Sequence, residues 1–247
     1  MARSCDECGV RDRALCASLG DDELVTLGRL GVQRRLARGD TLIRAGDPPL
    51  VCANLQSGVM KIATLTPAGT ESIVGLLYPG DFIGRPFATA NEHDVIALTD
   101  VELCVFPRAM FERVLADHQR MEHLLLQRTL AELDRARRWL TRMGRATAAA
   151  RVAGFLDDMG RRLAMPDCQR SALAGPDSQR SGGVARSMAY DLPLSRGEIA
   201  DLLGLTIETV SRQMTRLRAA GIIGLPGGRG IVINDPSALA AAAEEYV

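Results

Sequence analysis

The chain has 247 residues, which is enough for one or two domains that each bury a core. Its 30 basic and 30 acidic residues cancel, so it is no general polyanion binder, and any nucleic-acid contact must come from a local patch. The sequence contains no apolar run of about 18 residues and no signal-peptide core, which argues against a membrane span. We therefore expect a cytoplasmic protein whose six cysteines are metal ligands, reactive thiols or core residues, and not disulfides.

Three of these cysteines, Cys5, Cys8 and Cys16, lie close to the N-terminus. Cys5 and Cys8 are separated by two residues and can turn back onto one metal, and Cys16, after seven more residues, can close around it. Thiolates select zinc or iron–sulfur clusters. Three ligands are one short of a tetrahedral site, so a fourth must come from elsewhere. A zinc site and an arm with incidental thiols both remain open.

Residues 32–106 consist of short apolar runs separated by glycine and proline turns. Seven or eight evenly spaced strands of this kind predict a small antiparallel jelly roll. Cys104 lies in the last strand, where an isolated cysteine is a buried core thiol more often than a ligand. Cys52 shares its strand face with Asn54 and Gln56, which makes it a second possible ligand.

Helices follow the predicted roll, a short one over RAMFERVLAD and a long one over residues 118–143. Leucines of the long helix recur at spacings of three, four or seven, at Leu126, Leu130, Leu133 and Leu140. Such a seam suits a partner helix, although packing against the chain's own roll is the alternative. A further amphipathic helix is expected over residues 147–164. Residues 166–190, rich in Ser, Gly, Pro and Arg, indicate a mobile surface loop with an exposed Cys168.

Residues 195–223 predict two short helices around a tight turn. Ser195 and Glu198 form a capping box that starts the first helix, and Gly204 ends it. Thr206 is expected to cap the second helix, and Gly221 lies where a glycine would end it. The positions expected to be buried in the second helix are Ile207, Val210, Met214 and Leu217, which leaves Glu208, Ser211, Arg212 and Thr215 facing outward.

A helix–turn–helix directs the outward side chains at the start of its second helix to base edges. Glu208 can accept from cytosine N4, Arg212 can fork onto guanine O6 and N7, and Ser211 can contact a base or a phosphate. The predicted set of DNA contacts is completed by Thr206, Thr209 and Arg216. On spacing alone, a packed helix pair inside an ordinary helical domain is the alternative.

A β-hairpin wing is predicted after this helix pair, because the PGGRG turn lies between apolar flanks over residues 222–233. Arg229 at the tip of the wing could contact a phosphate. A short helix from about Pro236 is expected to end the chain.

This order of elements resembles the CRP/FNR transcription regulators across nearly the whole chain. The segment SRGEIADLLGLTIETVSR is similar to the FNR branch, whose reading helix carries the pattern E-x-x-S-R, and this implies base contacts at Glu208, Ser211 and Arg212. The resemblance implies an α+β fold with an N-terminal double-stranded β-helix (a jelly roll like that of cyclic-nucleotide-binding domains), a long dimerisation helix and a C-terminal winged helix–turn–helix. The expected domains are a cysteine-bearing arm (1–20), a β-roll sensor (21–117), a dimerisation helix (118–145) and a DNA-binding domain (146–247).

The cysteines extend the resemblance to the oxygen-responsive FNR branch. The N-terminal triplet, together with a central cysteine in the context Leu103-Cys104-Val105-Phe106-Pro107, implies a 4Fe–4S cluster. Its implied ligands are Cys5, Cys8, Cys16 and Cys104, with Leu15 as the apolar residue that shields the cluster. The gap between Cys8 and Cys16 is longer than in the best-known FNR and similar to that of a second FNR branch.

The resemblance also implies how such a protein would act. It implies a homodimer on double-stranded DNA with the palindrome TTGAT–four bases–ATCAA, and RNA polymerase as a further partner. Oxygen would degrade the cluster and loosen the dimer, with Glu132 or Asp134 as the acid that keeps the cluster-free form monomeric.

A cyclic nucleotide is not expected as the effector. Relatives that bind cyclic AMP hold its phosphate with an Arg-Ser pair that follows a glycine-glutamate turn. This chain has Gly84-Arg85 and then Asn91-Glu92 at the position of that pair. The carboxylates of Glu92 and Asp94 would repel a phosphate.

Alternatives remain within this scaffold and outside it. On the same scaffold, the cysteines could bind zinc or sense thiol redox state or nitric oxide directly. A metal-dependent enzyme in the roll would need clustered histidine and carboxylate ligands. His93, which we interpret as a solvated loop residue, is the only histidine in the predicted roll, so we expect no enzyme.

Overall fold

The computed structural model of the chain describes residues 5, 8–67, 69–163 and 188–245. These residues belong to two compact units, Met1–Arg135 and Ala136–Val247. The predicted loop with Cys168 lies mostly outside the described residues. Within the described ranges, none of the helices combines the length and apolar character needed to cross a bilayer.

The first unit contains a helix that the sequence analysis did not predict. A short 3-10 turn, Leu15–Ser18, leads into α1, Asp21–Leu30. The helix begins where the backbone N–H of Gly20 donates to Oε2 of Glu23 at 2.7 Å, and acidic residues in its first turn suit the helix dipole. Leu24 and Leu27 are its buried face. This helix lies within the expected β-roll sensor (21–117), and the helical spacing of these two leucines is the sequence signal for it.

Eight strands form the roll that follows, as the turn spacing predicted. They are β1 Val32–Leu36, β2 Thr41–Ile43, β3 Val51–Ser57, β4 Met60–Leu65, β5 Glu71–Leu77, β6 Phe82–Ile83, β7 Asp94–Ala97 and β8 Val101–Pro107. They pair into two four-stranded antiparallel sheets, with the orders β1-β8-β3-β6 and β2-β7-β4-β5. Apolar residues of both sheets, including Leu55, Met60 and Leu103, make one core. The predicted jelly roll is therefore confirmed.

Helices α2, Arg108–Asp117, and α3, Gln119–Arg145, come after the roll. The start of α3 is fixed by Met121, which is buried with Leu15, Phe106 and Phe111. The leucines of the predicted seam are not covered by the chain's own roll, because Leu126, Leu130, Leu133 and Leu140 are between 45% and 71% exposed. An exposed apolar face on a long helix is the surface that a partner helix would cover.

The acids considered for the repulsion between subunits lie beside this seam. Glu132 is paired with Arg135 one turn along the same helix. Because this ion pair is exposed, it offsets the charge of Glu132 only weakly, and the expected repulsion from Glu132 or Asp134 stays a prediction.

The second unit contains α4 Ala148–Leu163, β9 Met188–Asp191, α5 Arg196–Leu203, α6 Ile207–Ala219, β10 Ile223–Gly224, β11 Gly230–Ile233 and α7 Pro236–Ala243. Its three strands form an antiparallel sheet in the order β10-β11-β9. The wing prediction is therefore correct for β10 and β11, but residues 188–190 form a strand and not the end of a loop. Tyr190 explains the difference, because its buried hydroxyl donates to the carbonyl of Leu156 at 2.9 Å and fastens β9 to α4.

Both helices of the predicted pair start at the expected caps. The hydroxyl of Ser195 accepts from the backbone N–H of Glu198 at 3.2 Å, and the Glu198 carboxylate accepts from the N–H of Ser195 at 2.7 Å. Gly204 ends α5 in the left-handed region at φ 59°. Thr206 caps α6 by accepting from the N–H of Thr209 at 3.2 Å.

Arg151 of α4 joins the end of α3 to the end of α5. Its side chain donates to the carbonyls of Met143 at 2.6 Å, Ala146 at 3.2 Å and Leu203 at 3.3 Å. The last carbonyls of a helix have no hydrogen-bond donor within the helix. The guanidinium of Arg151 supplies donors to carbonyls at the ends of both helices.

We expect Ser195→Ala to lower the free energy of unfolding by about 1 kcal/mol, because the first turn of α5 loses the side-chain acceptor for one of its backbone N–H groups. Urea unfolding followed by circular dichroism measures the change. Ser211→Ala makes the same substitution at an exposed interior position of α6 and should leave stability almost unchanged. Equal unfolding midpoints for the two variants would show that this cap contributes nothing.

Candidate functional site

Four cysteines line one pocket in the first unit, where α1 and the start of the chain meet the roll. They are Cys5, Cys8, Cys16 and Cys104. The side chains of Leu24 and Leu27 from α1 and of Phe106 from β8 make the apolar part of its wall. Strand β8 delivers Cys104 to this pocket, since the register sets Cys104 opposite Gln33 of β1 and Asn54 of β3. The structure thus brings the predicted ligands together.

Cys52, the second possible ligand, is not among the residues that line this pocket. Its side chain is fully buried in the apolar cluster that includes Leu15 and Phe106. Burial raises the pKa of Cys52 to about 12, and the nearby Glu112 carboxylate adds to the effect. Cys52 is therefore a core thiol.

The thiols of the pocket interact electrostatically with one another. Burial raises the pKa of Cys16 to about 11, and negative charge on Cys5 and Cys8 adds to the effect. Burial likewise raises the pKa of Cys104 to about 12, with Cys16, Cys5 and Cys8 acting in the same direction. Both thiols keep their protons at neutral pH, so binding a metal centre must release them. Direct oxidation of these two thiols is disfavoured, because the thiolate is the reactive form.

Two amide side chains of β3 donate to sulfur atoms in this pocket. Asn54 donates from Nδ2 to Sγ of Cys16 at 3.4 Å, and Gln56 donates from Nε2 to Sγ of Cys8 at 3.5 Å. Asn54 is only 2% exposed, and its Oδ1 is buried with no hydrogen-bond partner among the described residues. Buried amides aimed at sulfur are suited to stabilising charge on metal-bound thiolates. The shared strand face of Asn54 and Gln56 favours Cys52 as their neighbour, but the structure directs both amides to Cys16 and Cys8 instead.

Glycines leave room beside two of the sulfurs. A Cβ atom at Gly28 would lie 2.9 Å from Sγ of Cys5. A Cβ at Gly31 would lie 2.9 Å from Sγ of Cys104 and 2.7 Å from the ring of Phe106. Gly28 lies inside α1, where glycine is unfavourable for the helix, so that position was a signal available in the sequence.

Over the part of the chain that the structure describes, no three Cys, His, Asp or Glu side chains already converge closely enough to hold a single metal ion. Four thiols are a donor set that structural zinc sites and iron–sulfur clusters share. The cysteines, the amide donors and the space beside the sulfurs all fit a cluster of this kind.

The second unit presents the predicted reading residues at the start of α6. Glu208, Ser211 and Arg212 are exposed, as are Thr206 and Arg216, and Thr209 is half-buried. Nη2 of Arg212 lies 3.5 Å from Oγ1 of Thr209. Hydrogen bonds from its own backbone N–H and from the side chain of Thr206 hold the pKa of the Glu208 carboxyl below its ordinary value. Glu208 is therefore an ionised acceptor at neutral pH.

The buried face of α6 differs in part from the prediction. Val210 and Met214 are buried as expected, and Leu217 is half-buried. Ile207, the first residue of α6, is 51% exposed and not buried as predicted. Gln213 is buried instead, which the apolar pattern could not reveal.

Arg229 of the wing is engaged within its own unit. Its Nη1 donates to the carbonyl of Pro193 at 3.0 Å, just before α5. The expected phosphate contact at Arg229 would have to use the remaining donors of the guanidinium.

A second cavity lies in the roll and is lined by Phe82, Arg85, Glu92 and His93, among others. Nη1 of Arg85 lies 2.8 Å from Oε1 of Glu92. A hydrogen bond from Arg85, and its charge, keep the pKa of Glu92 below its ordinary value. The carboxylate thus offsets the positive charge that a phosphate would need. His93 lines this cavity and is exposed just before β7, as expected for a solvated loop residue.

The fold and these sites can be compared with known proteins. A family model described as a Crp-like helix-turn-helix domain matches residues 150–242, and one described as a cyclic nucleotide-binding domain matches residues 33–118. A probable transcriptional activator of Rhizobium leguminosarum bv. viciae is 39% identical over 94% of this chain and 90% of its own length. The transcriptional activator protein FnrL of Cereibacter sphaeroides is 38% identical over 94% of this chain and 88% of its own length.

Among solved structures, FixK2 from Bradyrhizobium japonicum matches with a TM-score of 0.71 and 27% identity, over 86% of this chain and 96% of that one. The fold and these matches define a DNA-binding transcription regulator and not an enzyme. The chain belongs to the CRP/FNR family.

Proposed function

We propose that this regulator responds to oxygen through a 4Fe–4S cluster held by Cys5, Cys8, Cys16 and Cys104. The observation that carries the proposal is that these thiols line one pocket, although Cys104 is far from the others in the chain. When bound, such a cluster supplies sensitivity to oxygen, which degrades it. The name FnrL of a relative over nearly the full chain supports the same branch of the family.

The residues around the sulfurs have distinct roles in this proposal. Asn54 and Gln56 donate hydrogen bonds to ligand sulfurs and stabilise their negative charge. Gly28 and Gly31 leave the space next to Cys5 and Cys104. Leu15 is fully buried in the apolar cluster against which Cys16 packs, and it does not itself line the pocket. A shielding role for Leu15 would therefore act through that cluster.

We propose that Glu208, Ser211 and Arg212 read base edges, with Thr206, Thr209 and Arg216 as further DNA contacts. Their exposure at the capped start of α6 supports this assignment. The target is a palindrome of the TTGAT–four bases–ATCAA type, in which Arg212 forks onto a guanine and Glu208 accepts from a cytosine.

A palindrome requires two copies of the reading helix, about 34 Å apart. We propose that the chain is a homodimer paired through Leu126, Leu130, Leu133 and Leu140, whose exposure supports this. In this scheme residues 1–20 are the cysteine arm, 21–117 the sensor roll, 118–145 the dimerisation helix and 146–247 the DNA-binding domain. RNA polymerase is the further partner, and no cyclic nucleotide is required.

Protein purified without oxygen tests the sensor half of the proposal. We expect a brown protein with about four iron atoms and four acid-labile sulfides per chain, and a visible spectrum that bleaches in air. The air-treated protein should lose affinity for the palindrome. Stoichiometric zinc without sulfide would favour the zinc alternative, and metal-free protein that responds to nitric oxide or thiol oxidants would favour direct sensing.

A further inference from the structure

Arg128 of α3 connects three parts of the first unit. Its Nη1 donates to the carbonyl of Gly80 at 3.0 Å, and its Nη2 donates to the carbonyl of Arg13. Gly80 belongs to the turn between β5 and β6 of the roll, and Arg13 belongs to the cysteine arm, three residues before Cys16. One guanidinium thus holds the arm, the roll and the long helix together.

The arm and the turn are already in close contact at this point. Gly80 has φ 98°, and a Cβ atom there would lie 3.2 Å from Cβ of Arg13 and 3.3 Å from its carbonyl oxygen. The N–H of Gly80 donates to the carbonyl of Leu55 at 2.8 Å, and Leu55 lies between Asn54 and Gln56. The Arg13 carbonyl is therefore close to the residues of the cysteine pocket along the chain. The Gly80 residue is connected to them through one hydrogen bond, to Leu55.

On α3, Arg128 lies about 200° around the helix from both Leu126 and Leu130. The face that contacts the arm is thus opposite to the exposed leucines. We propose that Arg128 is the positioning residue that transmits the state of the cysteine arm to the α3 segment carrying Leu126, Leu130 and Leu133. While the cysteines anchor the arm, the Arg13 carbonyl is held in place and fixes α3. When the anchor is lost, Arg128 loses this acceptor.

This inference rests on the proposed function only for the trigger, because the contacts among Arg128, Arg13 and Gly80 are made by residues outside the proposed ligand set. Amide hydrogen exchange of the full chain separates the inference about Arg128 from the proposed sensor function. The peptides to follow cover residues 8–17 of the arm and 119–135 of α3, in protein prepared without oxygen and after exposure to air. Iron content and the visible spectrum are recorded on the same samples.

Three variants make the test specific. Arg128→Ala removes both hydrogen bonds, and Arg128→Lys keeps the charge but cannot donate to both carbonyls as a planar fork. Arg120→Ala is the matched control, since Arg120 also lies on α3 but contacts the Glu23 side chain of α1, at 3.2 Å, and not the arm carbonyl.

In the wild type and in Arg120→Ala, air should accelerate exchange in both peptides, by roughly tenfold in the α3 peptide. In Arg128→Ala, air should still accelerate exchange in the arm peptide but leave the α3 peptide unchanged, and Arg128→Lys should fall between. An equal response of the α3 peptide in Arg128→Ala and the wild type would overturn the inference.

If the wild type contains no iron, the proposed sensor function is wrong. The same samples then still test whether Arg128 holds the arm. Arg128→Ala should then still exchange faster than Arg120→Ala over residues 8–17. Equal rates would show that Arg128 does not hold the arm.

Discussion

Cys16→Ser is expected to remove the visible absorbance of anaerobically purified protein and to lower its affinity for the palindrome at least about tenfold. Cys16 lines the pocket with the other three thiols and accepts a hydrogen bond from Asn54, so a hydroxyl at this position leaves the site without a thiolate that the amide can stabilise. The fold should persist, because the change is nearly isosteric. Ultraviolet–visible spectra, iron analysis and fluorescence anisotropy with labelled DNA measure the outcome.

Cys52→Ala is the matched control for that experiment. Cys52 is a buried cysteine of the same unit that does not line the pocket. The Cys52→Ala variant should keep the visible spectrum of the cluster and show only a lower free energy of unfolding. Cys16 would be excluded as a ligand if its serine variant kept full absorbance and iron content.

Arg212→Ala is expected to weaken binding to the palindrome by about 1–3 kcal/mol and to relax the preference at the guanine that it reads. Arg212 is exposed on the second turn of α6, and its guanidinium lies beside Thr209. Competition assays with the palindrome, with single-base variants of it and with scrambled DNA at one salt concentration measure both effects.

Arg218→Ala provides the contrast, because Arg218 is exposed in the last turn of the same helix. It should weaken specific and scrambled binding alike, as expected for a phosphate contact. If the wild type and Arg212→Ala both bound specific and scrambled DNA equally, α6 would not be the reading helix.

Local rules predicted the helix pair well. The capping box of Ser195 and Glu198, the glycine after Leu203 and the Thr206 cap all depend on residues within four positions of one another. The roll was predictable for a similar reason, since its turns are marked by glycines in the left-handed region, such as Gly46 and Gly58. These features are encoded in short stretches of chain.

The parts that were missed depend on contacts between distant residues. Strand β9 is held by Tyr190 against Leu156, and no pattern within residues 188–191 reveals that partner. The N–H···S bonds of Asn54 and Gln56 arise only when the arm folds onto β3. The cysteine set itself was implied by resemblance, because spacing alone left the fourth ligand open.

The three hydrogen bonds of Arg151 bear on where this chain can be divided. A fragment that starts at Ala136 retains Met143, Ala146 and Leu203, the partners of this side chain. A fragment that starts at Ala148 would leave Arg151 with only the Leu203 carbonyl and would remove the end of α3 from its own unit. Work on the DNA-reading half in isolation should therefore begin upstream of α4, within the long helix.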